Sequence, residues 1–508
     1  MRLARLTAAL VAAGLAMPAL AGPKEAELLR KLSERLEKLE ARNAELEKKL
    51  EARNTDLEKQ VKTLKSESDA VNAALDSPRL SQYEPELTVR LKAVEKDALE
   101  MKKAAKIAEG LDGIKVGASL ATVGQKAFGL PDGVENGPSQ LNYRADVSVE
   151  LPLKPVGDID HKLFAHLRMG QGLGLNAPFK NLGYFSSAPN ALAFRASGSS
   201  PDDSVTILGQ AWYQAAIPLP FLGFKPYSRE TLEVTFGKMD IFGFFDQNKG
   251  AGDESKQFLN SVFVHNPMLD AAGEVGVDAN GFQPGFVVSY FNWFDKPQPW
   301  RVSVGLFGAG DRASNYQRSL TTPLLMVQAE KQMRFDGLLG NYRIYGWNRS
   351  KGTDWDGNHA KHTGVGVSID QRIGDGITLF SRYGKLINGE LPFNQAFTAG
   401  AEFSGSYWGR AADAIGIAGA WLQSGKSYRN QLQQAYLMDQ PDDSSVVRLT
   451  AGNPFLPQGA EKVAEIYYRY RVSPQFELSP DFQYVTNGGG NTDAKSVKVF
   501  AVRANIAY

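Results

Sequence analysis

The chain has 508 residues, and its 57 Lys and Arg nearly balance 56 Asp and Glu to give a formal net charge of +1. This balance disfavours a nucleic-acid-binding protein, whose surface is strongly basic. A hydrophobic content of 43% and an aromatic content of 10% exclude a wholly disordered chain. The absence of Cys excludes disulfide scaffolds, thiolate zinc sites and cysteine nucleophiles.

Residues 1–21 have the three parts of an export signal. Arg2 and Arg5 form a basic start, residues 6–16 form a short apolar stretch, and Ala19-Leu20-Ala21 is a small-x-small cleavage site. The apolar stretch is shorter than the ~20 residues that a membrane-spanning helix needs, and no later run approaches that length. The sequence therefore predicts an exported protein and excludes a helical membrane protein.

Residues 22–77 have the pattern of a coiled coil, with leucines spaced three and four apart between Leu29 and Leu50. Asn43 and Asn54 occupy equivalent positions of this seam, where a polar residue fixes the register. A solvated single helix is the alternative, because Glu-to-Lys pairs stabilise charged helices. The seam leaves the number of associating helices open. We expect a linker with a second amphipathic helix over 78–112.

From Gly113 onward the hydrophobic period changes to two, which is the period of β-strands. In the last segment, for example, Phe500 and Val502 alternate with Ala501 and Arg503. An exported chain of such segments can turn its apolar face to lipid and its polar face to a lumen. Closure into a barrel is then required, because lipid leaves the backbone groups of an open edge unpaired.

The candidate strands of this region number 16, an even count as expected for a single-chain bacterial barrel. They cover residues 112–122, 143–153, 161–172, 205–218, 229–238, 283–292, 300–309, 321–334, 338–347, 361–371, 376–385, 396–405, 412–422, 461–471, 475–485 and 497–508. We therefore expect an all-β transmembrane barrel of about 16 antiparallel strands over 113–508.

The lengths of the connections favour a membrane barrel over a soluble β-sandwich. Short connections, such as 335–337, 373–375 and 473–474, tend to alternate with long ones. The long ones cover roughly 123–142, 173–204, 239–282, 386–395, 423–460 and 486–496. A barrel with short periplasmic turns and long outer loops explains this alternation and places both termini inside, whereas a sandwich does not explain it.

The connection 239–282 is one of the two longest and combines acidic with aromatic residues. Its polar members are Asp240, Asp246, Asn248, Asp253 and Glu254, and its aromatic members include Phe242, Phe244 and Phe245. A loop of this length usually has a function. If it folds inward, it narrows a 16-stranded pore to a selective slot. The alternatives are a loop that lies over the rim or contacts a neighbouring subunit.

Three regions of the sequence resemble a known family. Residues 236–248, Phe-Gly-Lys-Met-Asp-Ile-Phe-Gly-Phe-Phe-Asp-Gln-Asn, resemble the Gly-Lys-x-Asp…Asp-x-Asn stretch of the family of OprB-type carbohydrate-selective porins. Residues 407–419 resemble its Gly-Arg-x-x-Asp turn, and residues 465–470 and 480–484 resemble its C-terminal strands. The resemblance covers about 113–508 and leaves the coiled coil as an addition. It implies passive, substrate-selective diffusion of carbohydrates or other small hydrophilic solutes across a Gram-negative outer membrane.

A sugar-selective slot needs charged partners for hydroxyl groups and aromatic rings for C–H faces. Alternation along the strands and the composition of loop 239–282 give the candidate constriction residues. They are His166, Arg168, Trp212, Glu233, Asp240, Asp246, Asn248, Arg343, Arg382, Glu465, Arg469, Asp481 and Arg503. Their mixed signs disfavour a dedicated anion pore, which needs a predominantly basic ring.

We predict no enzyme activity, cofactor or metal site. The segment 354–358 lacks the closing ligands of a calcium loop. His359 and His362 could hold a metal beside it, but an exposed outer loop is the better interpretation. The sequence has no Gly-x-Ser-x-Gly elbow with plausible catalytic partners.

The expected partners are outer-membrane lipid, small hydrophilic solutes and further copies of the chain, with a trimer as the working hypothesis. The alternative function is a structural tether, in which the barrel is an anchor and the coil contacts peptidoglycan. About 50 helical residues would reach ~75 Å, which is long enough for that role.

Overall fold

A computed structural model of the chain describes two compact units, residues 1–108 and 109–508. Its described residues are 55–56, 59–63, 65–66, 113–130, 139–176, 179, 183–185, 189–194, 203–220, 228–270, 281–308, 321–374, 376–438 and 456–508. In the first unit, the described residues are all helical. The signal peptide, the linker and the rest of the coiled coil lie outside the described residues and stay predictions.

The second unit is a closed antiparallel barrel of 16 strands, in which each strand pairs with its sequence neighbours and β1 pairs with β16. The strands are β1 Lys115–Phe128, β2 Ser139–Pro152, β3 Asp160–Gln171, β4 Val205–Leu219, β5 Glu230–Met239, β6 Gln283–Asn292, β7 Trp300–Phe307, β8 Leu324–Phe335, β9 Leu338–Thr353, β10 His359–Ile373, β11 Ile377–Asn388, β12 Phe393–Ser404, β13 Ala414–Ser424, β14 Ala460–Arg471, β15 Phe476–Thr486 and β16 Val497–Ala507. The predicted barrel and its strand number are confirmed.

The strands close into a barrel because their side chains sort by polarity. On β16, Phe500 and Val502 are about half exposed on the outer face, while Arg503 and Asn505 are buried inside. In water such an outer face would be an aggregation hazard, but in lipid it is the favoured arrangement. The same alternation fixes the pairing register of the strands. A shift of β16 by one residue would point the Arg503 side chain outward into the lipid hydrocarbon.

The connections differ from the prediction at two outer loops. The expected loop 123–142 is shortened at both ends, because β1 continues to Phe128 and β2 begins at Ser139. The expected long loop 386–395 is a tight connection, because β11 continues to Asn388 and β12 begins at Phe393. Gly389 adopts a positive φ of 99°, a conformation that suits glycine and lets the chain reverse within a few residues. Leu386 and Phe393 on either side are buried inside the barrel, which extends both strands.

Helices occur only in connections among the described residues of this unit. The β5–β6 connection contains α1 Ser261–Val264 and α2 Pro267–Asp270, and the β13–β14 connection contains α3 Lys426–Met438. None of the described helices is both long and apolar enough to cross a membrane.

An apolar core lies inside the barrel, where two outer connections meet the wall. The β3–β4 connection contributes Phe179 and Phe185, and the β5–β6 connection contributes Phe258. The Phe258 ring packs against Phe380 and Tyr467, with ring centroids 5.4 and 5.0 Å apart, and both partners face inward from strands. Burial of these rings holds the two connections against the inner wall.

Candidate pore site

The β5–β6 connection, residues 240–282, is called loop 3, and its described residues 240–270 enter the barrel. It leaves β5 through a 3-10 turn, Ile241–Gly243, at whose start the Asp240 carboxylate accepts a hydrogen bond from the Phe242 amide at 3.0 Å. Such a cap satisfies an amide that the turn leaves free. Further along, loop 3 contacts inward-facing side chains of the wall, and three of these contacts involve charged groups.

The first contact of loop 3 with the wall is centred on Asp246, which is 1% exposed. Its carboxylate lies 3.1 Å from Arg382 Nε and accepts hydrogen bonds from the Tyr345 hydroxyl at 2.8 Å and the Asn266 amide at 2.6 Å. The Asp246 amide donates to Gln328 Oε1 at 3.0 Å. Arg382, Tyr345 and Gln328 belong to β11, β9 and β8, so one loop residue joins three strands.

The second contact lies on β14 and β16. Glu465 accepts hydrogen bonds from the backbone amides of Leu259 at 2.5 Å and Asn260 at 3.0 Å. Arg503 donates to the backbone carbonyl of Glu254 at 2.8 Å. Loop 3 therefore crosses the barrel interior from the β8–β11 side to the β14–β16 side.

The third contact is an ionic cluster on β2 and β3. Asp146 accepts hydrogen bonds from Arg144 at 2.8 Å, His166 at 2.8 Å and Arg168 at 2.7 Å. Arg144 also pairs with Glu254 of loop 3 at 2.8 Å. Burial disfavours the charged form of Glu254, but Arg144 and Arg168 outweigh this effect and lower its pKa.

Two adjoining cavities lie between loop 3 and the wall. One of about 370 Å³ lies beside loop 3, and one of about 210 Å³ lies nearer the strand ends that carry the short turns. Both are lined by Gln247, Lys249 and Arg343, which places them side by side. In the larger cavity, the rings of Phe242 and His265 stack with centroids 3.6 Å apart.

The charges around these cavities are mostly paired. Arg343 lies 3.3 Å from a Glu330 oxygen and 2.7 Å from an Asp370 oxygen, and Arg301 also pairs with Glu330. Lys249 of loop 3 is exposed and forms no ion pair within the described part of the chain. The lining thus combines fixed hydrogen-bond donors and acceptors with one free cation.

The sequence-predicted residues fall into separate groups. The larger cavity brings together Asp246, Asn248, Arg343 and Arg382. All ten predicted strand residues lie at inward-facing positions of the alternation; they are His166, Arg168, Trp212, Glu233, Arg343, Arg382, Glu465, Arg469, Asp481 and Arg503. The alternation along the strands therefore predicted correctly which side chains face the barrel interior.

Several of these residues are buried and make hydrogen bonds within the protein. Glu465 and Arg503 are 2% and 1% exposed and form hydrogen bonds with the backbone of loop 3, and their contact with a solute stays a prediction. Asp481, 6% exposed, accepts a hydrogen bond from Gln483 at 3.2 Å. Asn248 donates to the Ile369 carbonyl at 3.0 Å. The alternation along the strands could not predict this burial. It shows which side chains face the interior, but not how far along the barrel axis they lie or which loop covers them.

Three other predicted residues lie away from the two cavities. Arg469 lies 3.5 Å from a Glu402 oxygen. The Trp212 ring stacks on Phe164, with centroids 4.7 Å apart. The Glu233 side chain faces the interior, and its carboxylate makes no hydrogen bond within the described residues.

Sequence reasoning missed Lys249, His265, Glu330 and Asp370. Glu330 and Asp370 lie on correctly predicted strands, and alternation along those strands could have identified them. His265 and Lys249 belong to loop 3, where no periodic pattern indicates which side chains face the space that remains open.

His362 was expected on an exposed outer loop, and this expectation was wrong. It lies on β10, is fully buried, and its Nε2 is 2.8 Å from Asp354 Oδ1. The observed strand begins at His359, two residues before the candidate strand 361–371, so both histidines belong to β10. Within the described residues, no group of three or more His, Asp or Glu could hold a metal ion.

Residues 195–508 match the profile of a family described as "Carbohydrate-selective porin, OprB family". The chain belongs to this family. No curated protein matches its sequence. The fold is shared with the high-pH structure of Pseudomonas putida OprB, at a TM-score of 0.60 and 18% identity over 79% of this chain and 96% of that chain.

Two further solved structures are more distant. The low-pH structure of Pseudomonas putida OprB has a TM-score of 0.44 and 14% identity over 80% of this chain and 96% of that chain. A mutant Rh. blastica porin has a TM-score of 0.39 and 10% identity over 78% of this chain and all of that chain. Membership of the family makes this chain a porin of the Gram-negative outer membrane, a channel and not an enzyme.

Proposed function

We propose that this porin conducts small carbohydrates selectively through the two adjoining cavities between loop 3 and the β6–β11 side of the wall. The observation that carries the proposal is their lining, which in the larger cavity combines the stacked Phe242 and His265 rings with the exposed Lys249. Aromatic faces contact the C–H groups of a sugar, cationic side chains donate hydrogen bonds to its hydroxyl oxygens, and carboxylates accept hydrogen bonds from its hydroxyl groups.

The charges of the slot favour a neutral solute over a phosphate or other anion. An anion pore needs a predominantly basic ring. Here Glu330 and Asp370 offset the charge of Arg343, and Asp246 offsets that of Arg382. Several weak contacts of this kind permit a solute to enter and also to leave.

Block of single-channel current by added sugar in a planar bilayer tests the proposal. We expect glucose and short oligosaccharides to reduce the current of the native chain. Lys249→Gln removes the unpaired cation of both cavities and should weaken the block several-fold while raising cation over anion permeability. Lys385→Gln, on the outer face of β11, is the matched control and should leave both unchanged.

A sugar-insensitive current, or equal block by organic anions of the same size, would contradict carbohydrate selectivity. A sugar block that Lys249→Gln leaves unchanged would place the binding site elsewhere in the lumen. The first result would therefore test which class of solute is conducted, and the second would test where the solute binds.

We also propose the predicted domain arrangement, with a signal peptide at 1–21, a periplasmic coiled coil at 22–77, a linker at 78–112 and the barrel at 113–508. The leucine seam supports a homo-oligomer, with a trimer as the working hypothesis. Deletion of 23–77 should leave conductance intact. Loss of conductance, or a monomeric mass of the unheated native chain in detergent, would count against this arrangement.

A further inference from the structure

The outer wall of the barrel carries a groove of about 580 Å³ over strands β15, β16, β1 and β2. Its outward-facing lining consists of Gly124, Lys126, Ser139, Leu141, Pro480, Phe500 and Val502. In the sheet, Gly124 pairs with both Leu141 and Val502, and Pro480 pairs with Val502 from the other side. The missing side chain of Gly124 leaves a hollow between the larger groups.

Two lysines lie at one end of this groove. Lys126 lines it directly and is paired in register with Phe500, and Lys498 is paired with Phe128 on the same two strands. Such diagonal positions on one face are about 7–8 Å apart. Both side chains are exposed, and within the described residues neither forms an ion pair.

The lysines lie at the height of a lipid headgroup. Along β16, the outward-facing residues Phe500, Val502 and Ile506 lie between Lys498 and Tyr508. A strand of that length, tilted by about 40°, rises about 25 Å, which equals the apolar band of an outer-membrane barrel. Because Lys498 is at the end that carries the long loops, the groove opens into the outer half of the membrane.

We propose that this groove binds a phosphorylated glycolipid of the outer leaflet, with one acyl chain in the hollow beside Gly124 and a phosphate on Lys126 and Lys498. An acyl chain fits an apolar groove in the hydrocarbon region, and a phosphate fits two cations without carboxylate partners. Free phosphate would use the lysines but not the groove. The inference is independent of which solute the channel conducts.

The chain offers matched variants for each half of the site. Lys126→Gln with Lys498→Gln removes the cations, and Gly124→Leu fills the hollow. A Cβ at Gly124 would lie 3.7 Å from Leu141 Cδ1, an ordinary contact, so the leucine should be accommodated. Gly419→Leu is the control on the outer face of β13, where the nearest atom is 4.0 Å away.

The control for the lysines is Lys361→Gln with Lys385→Gln, which removes two exposed cations at the same ends of β10 and β11. Each variant is first checked as a folded barrel by its heat-dependent gel mobility. Single-lysine variants replace the double variant where the latter fails to fold.

The experiment titrates the detergent-solubilised chain with fluorescent diphosphorylated lipid A, with dephosphorylated lipid A and inorganic phosphate as comparison probes. We expect loss of the two lysines to weaken lipid A binding about 30-fold. Gly124→Leu should weaken it several-fold, and both controls should stay within about twofold of the native chain.

An equal loss of lipid A binding in the β10–β11 control would overturn the proposed site. Any exposed lysine at that height of the barrel would then bind the lipid equally well. Unchanged binding by Gly124→Leu, or equal binding of the dephosphorylated lipid, would also overturn it. Displacement of lipid A by millimolar inorganic phosphate would indicate a phosphate site without an acyl chain. A change in oligomeric mass without a change in lipid binding would assign the groove to a second copy of the chain.

Discussion

Asp246 is the residue on which the position of loop 3 depends most. It is buried, it pairs with the buried Arg382, and it also accepts hydrogen bonds from Tyr345 and Asn266. Replacement of one member of a buried ion pair leaves the other charge uncompensated, which typically costs about 3–5 kcal/mol. The carboxylate therefore matters more for the seating of loop 3 than for direct contact with a solute.

Asp246→Asn should release loop 3 and enlarge the open space between the loop and the wall. We expect a higher and noisier single-channel current and a lower temperature of loop unfolding, with the barrel intact. The double variant Asp246→Leu with Arg382→Met removes both charges and should recover part of the stability. A native current from Asp246→Asn would show that the remaining contacts seat the loop without the ion pair.

Asp413 gives a residue-scale prediction for pH dependence. It lies in the β12–β13 turn, and its carboxylate accepts hydrogen bonds from Arg410, Tyr468 and the amide of Arg471. The hydrogen bond from Arg410 is the largest of the effects that lower the pKa of Asp413, to about 2. The ordinary value is about 3.9, so the stabilisation is present above pH ~4 and is lost as the pH falls through about 2.

Asp413→Asn should therefore lower the unfolding temperature at pH 7, and the difference from the native chain should shrink between pH 4 and pH 2. Thermal unfolding in detergent at a series of pH values measures this difference. A difference that stays constant across the series would mean that the turn is stabilised by the shape of the side chain and not by its charge.

Loop 3 and strand β11 fit together at Gly384. A Cβ at this position would lie 2.3 Å from Asn266 Oδ1 and 2.8 Å from Met268 Cγ, both of which belong to loop 3. Real Cβ atoms do not approach other atoms this closely. Any residue larger than glycine at position 384 must therefore displace loop 3. The absence of a side chain at Gly384 thus allows loop 3 to pack directly against β11.

Gly384→Val should unseat loop 3 from β11, increase conductance and reduce sugar block. The strand itself should persist, because valine favours β-structure. Gly419→Val, with open space at its Cβ, is the matched control. Unchanged conductance of Gly384→Val in a folded barrel would exclude the β11 contact as the element that limits the channel.

Elements differ in how far the sequence predicts them. The strand bounds were predicted to within three residues, except where β1, β2 and β9 extend further. The prediction works because the period of two follows from the lipid on one side of the wall and the polar interior on the other. The path of loop 3 could not be predicted. It depends on individual pairs such as Asp246 with Arg382, which are 136 residues apart and leave no periodic pattern.

At the scale of the whole molecule, the barrel is a wall whose interior is largely occupied by its own loops. The β3–β4 connection and loop 3 form a packed apolar core inside, and the open space adjoins Lys249 and Arg343. We propose that solutes cross beside loop 3 on this side of the wall. A 16-stranded barrel without inward loops would instead hold a wide aqueous channel.

The absence of Cys from the chain makes a single introduced thiol a unique label. The most direct test is the single-channel current of Lys249→Cys before and after reaction with a bulky thiol reagent, with Lys385→Cys on the outer wall as the control. We predict that labelling Lys249→Cys removes most of the current and that labelling the control does not. An unchanged current through fully labelled Lys249→Cys would contradict this path.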